Sequence, residues 1–207
     1  MSKISIIDYG MGNLHSVIKA FEVQGIETEL VTTGSGIANA TKLVLPGVGA
    51  FRDAIDTLKQ KDLVPAIHDY VATNKPLLGV CLGMQLLFDV SYEDGEYEGL
   101  GLIKGSVEKF DFTNTPYKNF KVPHMGWNVI DVCGDQPLFK GLPEESYVYF
   151  VHSYYVVPKE TQVTATTTNY GIDFTSSIRN KNVMATQFHP EKSQKVGLKI
   201  YKNFSEI

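Results

Sequence analysis

Gly79-Val80-Cys81-Leu82-Gly83-Met84-Gln85 decides how the rest of this chain is read. These residues close an apolar run, Pro76-Leu77-Leu78-Gly79-Val80, and open an amphipathic one from Leu82 to Phe88. A cysteine at a strand-to-helix turn, with glycine two residues before and two after it, has the pattern of a nucleophile elbow. The glycines let backbone segments approach closely, so the thiol can stand on a sharp turn. The unpaired N–H groups that open the following helix favour thiolate over thiol through their partial positive charge. A lone cysteine is ordinarily a small buried hydrophobe; catalysis requires a base elsewhere.

Working outward, Gln187-Phe188-His189-Pro190-Glu191-Lys192 supplies that base. Residues 182–188 read as a strand with His189 at its end. Glu191 can turn back and accept a hydrogen bond from one imidazole nitrogen, and the fixed φ of Pro190 limits how the two side chains are arranged. The roles expected are Cys81 as nucleophile, His189 as general base and then acid, and Glu191 as orienter of the ring. The chain order of nucleophile, histidine, acid differs from the Ser-acid-His order of the α/β-hydrolases and argues against a lipase or esterase.

Around these motifs the first half alternates strand and helix. Strands are expected at 4–8, 28–31, 42–45 and into Cys81, and helices from an N-cap at Asn13 to about Gly25, at 51–59, at 63–73 and after Cys81. Short apolar strands alternating with helices imply a parallel sheet covered on both faces. Ligands then bind beyond the strand C-termini, where Gly10-Met11-Gly12, Gly47-Val48-Gly49 and Cys81 fall. The second half reads as strands at 107–110, 127–131, 147–152, 163–168, 172–178 and 183–188, an antiparallel extension of the sheet, and a helix at 195–204 closes the fold. With no repeat or linker, one domain over 1–207 is expected. The acidic stretch 91–99 reads as a solvated loop.

Composition narrows the function classes. The chain has 207 residues, 43% of them hydrophobic, and a formal charge of −4, which offers no electrostatic footprint for nucleic acid or acidic membranes. No apolar stretch approaches the ~18 residues of a spanning helix. Met1-Ser2-Lys3-Ile4 enters a strand directly, so no signal peptide is expected and a cytoplasmic location is. The two cysteines, Cys81 and Cys133, read as free thiols of a reducing compartment; Cys133 is given no role. No Cys-x-x-Cys or His-x-x-x-His spacing would hold a metal, and no cofactor is implied.

Gly-x-Cys-x-Gly-x-Gln followed far downstream by His-Pro-Glu resembles the class I (triad) glutamine amidotransferases. Pro46-Gly47-Val48-Gly49-Ala50-Phe51, Pro123-His124-Met125-Gly126-Trp127-Asn128, Asp8-Tyr9-Gly10-Met11-Gly12-Asn13 and His152-Ser153-Tyr154-Tyr155 narrow the resemblance, over essentially the whole chain, to the glutaminase subunits of imidazole glycerol phosphate synthases. Met84 stands where anthranilate-synthase-type relatives usually have His. The resemblance implies a flavodoxin-like α/β fold, a mainly parallel central sheet with flanking helices and an antiparallel extension. It also implies hydrolysis of L-glutamine through a γ-glutamyl thioester on Cys81.

Oxyanion donors are expected from the N–H of Leu82 and from Gly47-Val48-Gly49, where glycines permit a peptide to reorient. By resemblance, Gln85 and the main chain of Ser153 and Tyr154 hold the substrate's amino-acid head, and Gly49 lies against glutamine. His124 and His152 read as structural, since His189 already fills the need for a base. The resemblance further implies a heterodimer with a cyclase subunit built as a (β/α)₈ barrel. Ammonia would pass through it to phosphoribulosyl-formimino-AICAR ribonucleotide, giving imidazole glycerol phosphate and AICAR in histidine biosynthesis. Lys192 and Asn13 are the interface residues expected, and partner binding is expected to reorient the Gly47-Val48 peptide. The alternatives are a glutaminase serving another acceptor such as a nucleotide sugar, an inactive regulatory subunit on the same fold, and a cysteine peptidase or isonitrile-hydratase-like relative.

Overall fold

The structure, a computed structural model, describes residues 3–207; the start expected at Met1-Ser2 lies outside the described residues. The first half runs β1 (Ile4–Ile7), α1 (Leu14–Glu22), β2 (Thr28–Val31), α2 (Gly34–Asn39), β3 (Lys42–Gly47), α3 (Phe51–Gln60), α4 (Val64–Ala72), β4 (Leu77–Cys81) and α5 (Leu82–Leu86). The second runs β5 (Phe88–Ser91), β6 (Tyr97–Glu98), β7 (Ile103–Lys109), β8 (His124–Val132), β9 (Ser146–His152), β10 (Tyr154–Pro158), β11 (Thr164–Asn169), β12 (Asp173–Asn180), β13 (Val183–Thr186) and α6 (Gln194–Glu206).

The strand order is β2-β1-β3-β4-β13-β12-β10-β7-β5-β6. The pairings from β2 to β13 are all parallel, as expected of strands joined by helical crossovers. Beyond β13 the ladder turns antiparallel through β12, β10 and β7. The hairpin of β8 and β9 attaches through β11. The antiparallel extension expected from the second half is therefore present, as is the mainly parallel centre.

Burial follows the two-residue period of the strands. In β3, Leu43 and Leu45 join the apolar cluster under α2 to α5, while Val44 points to the cluster under α1 and α6. Phe21, Tyr201 and Phe204 close that second face. Apolar residues on both faces explain why β1, β3 and β4 read as near-continuous hydrophobic runs.

Register then places the chemistry. Gly47 of β3 lies opposite Cys81 of β4, and Val80 lies opposite Thr186 of β13. Three parallel neighbours thus deliver the glycine loop, the cysteine and, three residues past Thr186, His189 to one edge of the sheet.

Two local expectations are corrected. The helix after Cys81 stops at Leu86, and Phe88–Ser91 becomes a strand beside β7. The acidic stretch is not simply a solvated loop: Tyr97–Glu98 pairs with β5, and the Glu93 carboxylate accepts from Phe51 N at 2.6 Å at the start of α3. Two further elements, α2 and β10, were not anticipated. Thr33 caps the glycine-rich α2 by accepting from Gly36 N. Among the described residues no helix is long and apolar enough to cross a membrane.

Candidate active site

Cys81 ends β4 at φ 55° and ψ −113°, near the first central position of a type II′ turn, a conformation that glycine adopts freely and other residues adopt at a cost. Packing around the turn explains the flanking glycines. A Cβ on Gly79 would lie 2.9 Å from the carbonyl oxygen of Gly83 and 3.0 Å from Ala185 Cβ. One on Gly83 would run into the carbonyl of Leu45. Beneath the turn, Tyr9 donates its hydroxyl to Pro46 O at 3.0 Å, and a Cβ on Gly47 would meet that hydroxyl at 2.8 Å.

Sequence-distant residues complete the expected triad. His189 donates from Nδ1 to Glu191 Oε1 at 2.7 Å, and both side chains are about 2% exposed. Tyr201 of α6 donates to Glu191 Oε2 at 3.1 Å. The backbone of His189 is held as well: its N–H donates to Tyr149 O at 3.0 Å, and its carbonyl accepts from Ser193 Oγ at 2.6 Å. His189 Nε2 is buried without a hydrogen-bond partner. Burial disfavours the charged ring, but the Cys81 sulfur and then the Glu191 carboxylate outweigh it and raise the His189 pKa to about 10.

A cavity of ≈ 530 Å³ opens over this edge, a size suited to a small metabolite. Cys81, His189, Val48, Gly49, Leu82, Gln85, Ser153, Tyr154, Asn13 and Lys192 all line it, so the structure brings together nearly every residue singled out above. Gly47 and Glu191 stand just behind this lining. Gly49 takes φ +99°, which glycine adopts freely, and a Cβ there would lie 3.2 Å from Met11 Cε. Gln85 is buried, with Nε2 donating to Tyr154 O at 3.1 Å and to Gln187 Oε1 at 3.0 Å. Asn13 caps α1 through Ser16 N, and Lys192 is exposed with its ammonium 5.8 Å from the Tyr149 ring centre.

His124 and His152 form a buried pair, Nδ1 to Nε2 at 2.9 Å, and His152 Nδ1 bonds Tyr154 O at 2.8 Å. Burial lowers His124 to about 4 and His152 to about 3, so both are neutral rings in a hydrogen-bond chain. Cys133 is exposed beyond β8.

Two residues of the site escaped the sequence reading. Glu93 lines the cavity. Burial, helped by Asp94 and Asp53 and opposed by the Phe51 N–H bond, holds its carboxyl above the usual range. An isolated acid in an acidic stretch carries no signal of this. Gln187, wholly buried, places Nε2 3.9 Å from Cys81 Sγ. Its position two residues before His189 was the available clue, since a polar amide closing an apolar strand needs partners.

The family model described as glutamine amidotransferase class-I matches residues 5–206. The chain is 51% identical over 205 residues to the imidazole glycerol phosphate synthase subunit HisH of Syntrophotalea carbinolica, covering 99% of this chain and 100% of that protein. It is 48% identical over 208 residues to the subunit of the same name from Geobacter sulfurreducens, with 100% of each covered. For the Aquifex aeolicus subunit the identity is 50% over 200 residues, 96% of this chain and 94% of that one. Among solved structures, the fold resembles PurLQS from Thermotoga maritima, with TM-score 0.77, 17% identity and coverage of 100% of this chain and 99% of that one. It also resembles a glutamine amidotransferase from the same organism, with TM-score 0.62, 16% identity and coverage of 99% and 84%.

Proposed function

The chain belongs to the class-I glutamine amidotransferases and, within them, to the glutaminase subunits of imidazole glycerol phosphate synthase, and on that premise we propose that Cys81, His189 and Glu191 carry out the hydrolysis of L-glutamine. The observation that carries this assignment is the charge-paired His189–Glu191 at one sheet edge with the elbow cysteine.

The Cys81 sulfur attacks the side-chain amide carbon of glutamine. His189, already carrying a proton, delivers it to the departing nitrogen, which leaves as ammonia. A γ-glutamyl thioester remains. His189 then takes a proton from water, the hydroxide attacks the thioester, and glutamate leaves as the thiolate and imidazolium are restored. Leu82 N–H and the Gly47-Val48-Gly49 loop supply donors for the oxyanion, with each donor worth roughly 3 kcal/mol of barrier. Glutamine enters as a zwitterion. Glu93, the acid that lines the cavity, receives its α-ammonium, and Gln85, Gly49 and the main chain at Ser153 and Tyr154 hold the rest of its head.

As a synthase subunit the chain works with a cyclase subunit, which we take to be a (β/α)₈ barrel that accepts the ammonia and makes imidazole glycerol phosphate and AICAR. Residues 1–207 are read as one domain, a reading supported by the family match over 5–206. The partner covers the cavity mouth at Asn13 and Lys192, next to the exposed face of β8 and β9 that carries Met125, Trp127 and Tyr147, 62%, 47% and 50% exposed. Trp127 packs against Tyr149, whose ring centre lies 5.8 Å from the Lys192 ammonium at the cavity, a link that supports one interface over both. Partner docking reorients the Gly47-Val48 peptide into an oxyanion donor, and the protein works in the cytoplasm.

The test combines this chain with a cyclase subunit and the ribonucleotide acceptor and counts glutamate against imidazole product. One product per glutamate supports the assignment, and Lys192→Ala should leave glutamate in excess. Glutamate formed with no imidazole product, whatever the acceptor concentration, assigns the ammonia to another acceptor.

A further inference from the structure

Both ends of the buried Gln187 amide are committed. Oε1 accepts from Gln85 Nε2 at 3.0 Å, and Nε2 lies 3.9 Å from Cys81 Sγ. The direction of this amide follows from its neighbours. The Tyr154 carbonyl can only accept, and it meets Gln85 Nε2 at 3.1 Å and His152 Nδ1 at 2.8 Å, so both of those atoms are donors. The second proton on Gln85 Nε2 then requires an acceptor, and Gln187 must turn its oxygen towards it. The Gln187 N–H₂ is thereby left facing the sulfur.

The same logic runs outward. His152, neutral and protonated at Nδ1, accepts at Nε2, so His124 donates from Nδ1 across 2.9 Å. His124 Nε2 in turn accepts from Asn128 Nδ2 at 3.3 Å. Asn128 cannot reverse, because Nδ2 also donates to Asn169 O at 2.9 Å and Oδ1 accepts from Val129 N at 2.8 Å. Every polarity is fixed by a backbone group at one end or the other, with no second arrangement that satisfies all the buried atoms.

We propose that Gln187 is a catalytic residue that donates its amide N–H to the Cys81 sulfur, that the Tyr154 carbonyl and Gln85 hold that amide in its donating direction, and that His152, backed by His124 and Asn128, keeps the carbonyl in place. The inference rests on the glutaminase reading of the site. An N–H bond to a charged sulfur is stronger than one to a neutral thiol, so this contact favours the attacking form of Cys81. It weakens as the thioester forms and the sulfur loses charge, and returns when the thiolate departs. His152, which bonds the Tyr154 carbonyl, and His124 behind it act on the sulfur only through other groups and are positioning residues. Because Tyr154 O also anchors the stretch assigned to the substrate head, one backbone carbonyl ties head recognition to the nucleophile.

The test uses a Cys133→Ala background, so that the exposed thiol does not react, and measures Cys81 alkylation by iodoacetamide against pH. Glutamine kinetics are measured on the complex with the cyclase subunit. Gln187→Glu puts a carboxylate against the sulfur and should move the alkylation midpoint up by about one pH unit or more. Its kcat should fall about tenfold or more, with KM changed less than about threefold. Gln187→Met, which packs without a donor, should shift both in the same direction by less. His152→Asn keeps an N–H near the Nδ1 position but loses the acceptor of His124, and should fall between wild type and His152→Leu, which should raise KM and move the alkylation profile as Gln187→Met does. A Gln187→Met protein that melts as wild type does and keeps both the wild-type alkylation profile and kcat overturns the proposal. Equal effects of His152→Asn and His152→Leu overturn the positioning chain. A wild-type chain that alkylates as expected but does not hydrolyse glutamine rejects the glutaminase reading instead, which the alkylation data keep separate.

Discussion

His189 donates to Glu191 across 2.7 Å while Tyr201 holds the other carboxylate oxygen at 3.1 Å, so the Nδ1 proton and the orientation of the His189 ring are both held by Glu191. Glu191→Gln keeps the shape but removes the charge that stabilises the imidazolium. It should lower kcat about 100-fold with KM nearly unchanged, a smaller loss than in serine triads because thiolate is intrinsically nucleophilic. Tyr201→Phe, which leaves the charge in place, should cost only a few-fold. Steady-state glutamate release by the complex distinguishes the two, and equal losses would contradict the division of roles.

The raised pKa of His189 also makes stability depend on pH. Its folded value, about 10, lies above the ordinary 6.5 because the Cys81 sulfur and Glu191 outweigh burial. A group raised on folding stabilises fully below its unfolded pKa and loses that contribution as pH rises through the folded one. The melting temperature of wild type relative to His189→Asn should therefore be greatest below pH 6.5 and shrink as pH rises towards 10. A difference that stays level across that range would show that His189 is not charged in the folded chain.

The backbone at Cys81 reverses an ordinary preference. Alanine is usually better tolerated than glycine within regular structure, but φ 55° and ψ −113° penalise any Cβ. Cys81→Gly should be more stable than Cys81→Ala by about 1 kcal/mol, both being inactive. Chemical denaturation of the two variants measures the sign directly.

Glu93 carries the expectation for the substrate's α-ammonium. Glu93→Gln keeps the acceptor on Phe51 N but removes the charge. KM for glutamine should rise about 10- to 100-fold, the loss of one charge-assisted hydrogen bond, with kcat falling less. An unchanged KM would place the ammonium elsewhere in the cavity.

Much of this site is legible in the chain because its chemistry is written locally. Glycines two residues either side of Cys81 mark an elbow, and the structure shows why: Gly83 faces the Leu45 carbonyl and Gly79 faces Ala185. His189-Pro190-Glu191 is likewise a local signature. The parallel half of the sheet was readable from strands buried on both faces. What the sequence hid depends on tertiary pairing. Phe88–Ser91 continues an amphipathic pattern and becomes a strand only because β7 and β6 flank it. β10 was lost because Tyr154 follows β9 after a single residue, Ser153. Gln187 and Glu93 gain meaning only from neighbours about 100 and 40 residues away, Cys81 and Phe51.

The central claim, glutamine hydrolysis through Cys81 under control of a partner, is tested most directly by glutamate release. The wild type and Cys81→Ala are each measured alone and with the cyclase subunit and its ribonucleotide. The account predicts slow release by the wild type alone, strong stimulation by partner and acceptor together, and none from Cys81→Ala under either condition. Turnover by Cys81→Ala, or a wild type equally fast without its partner, would contradict it.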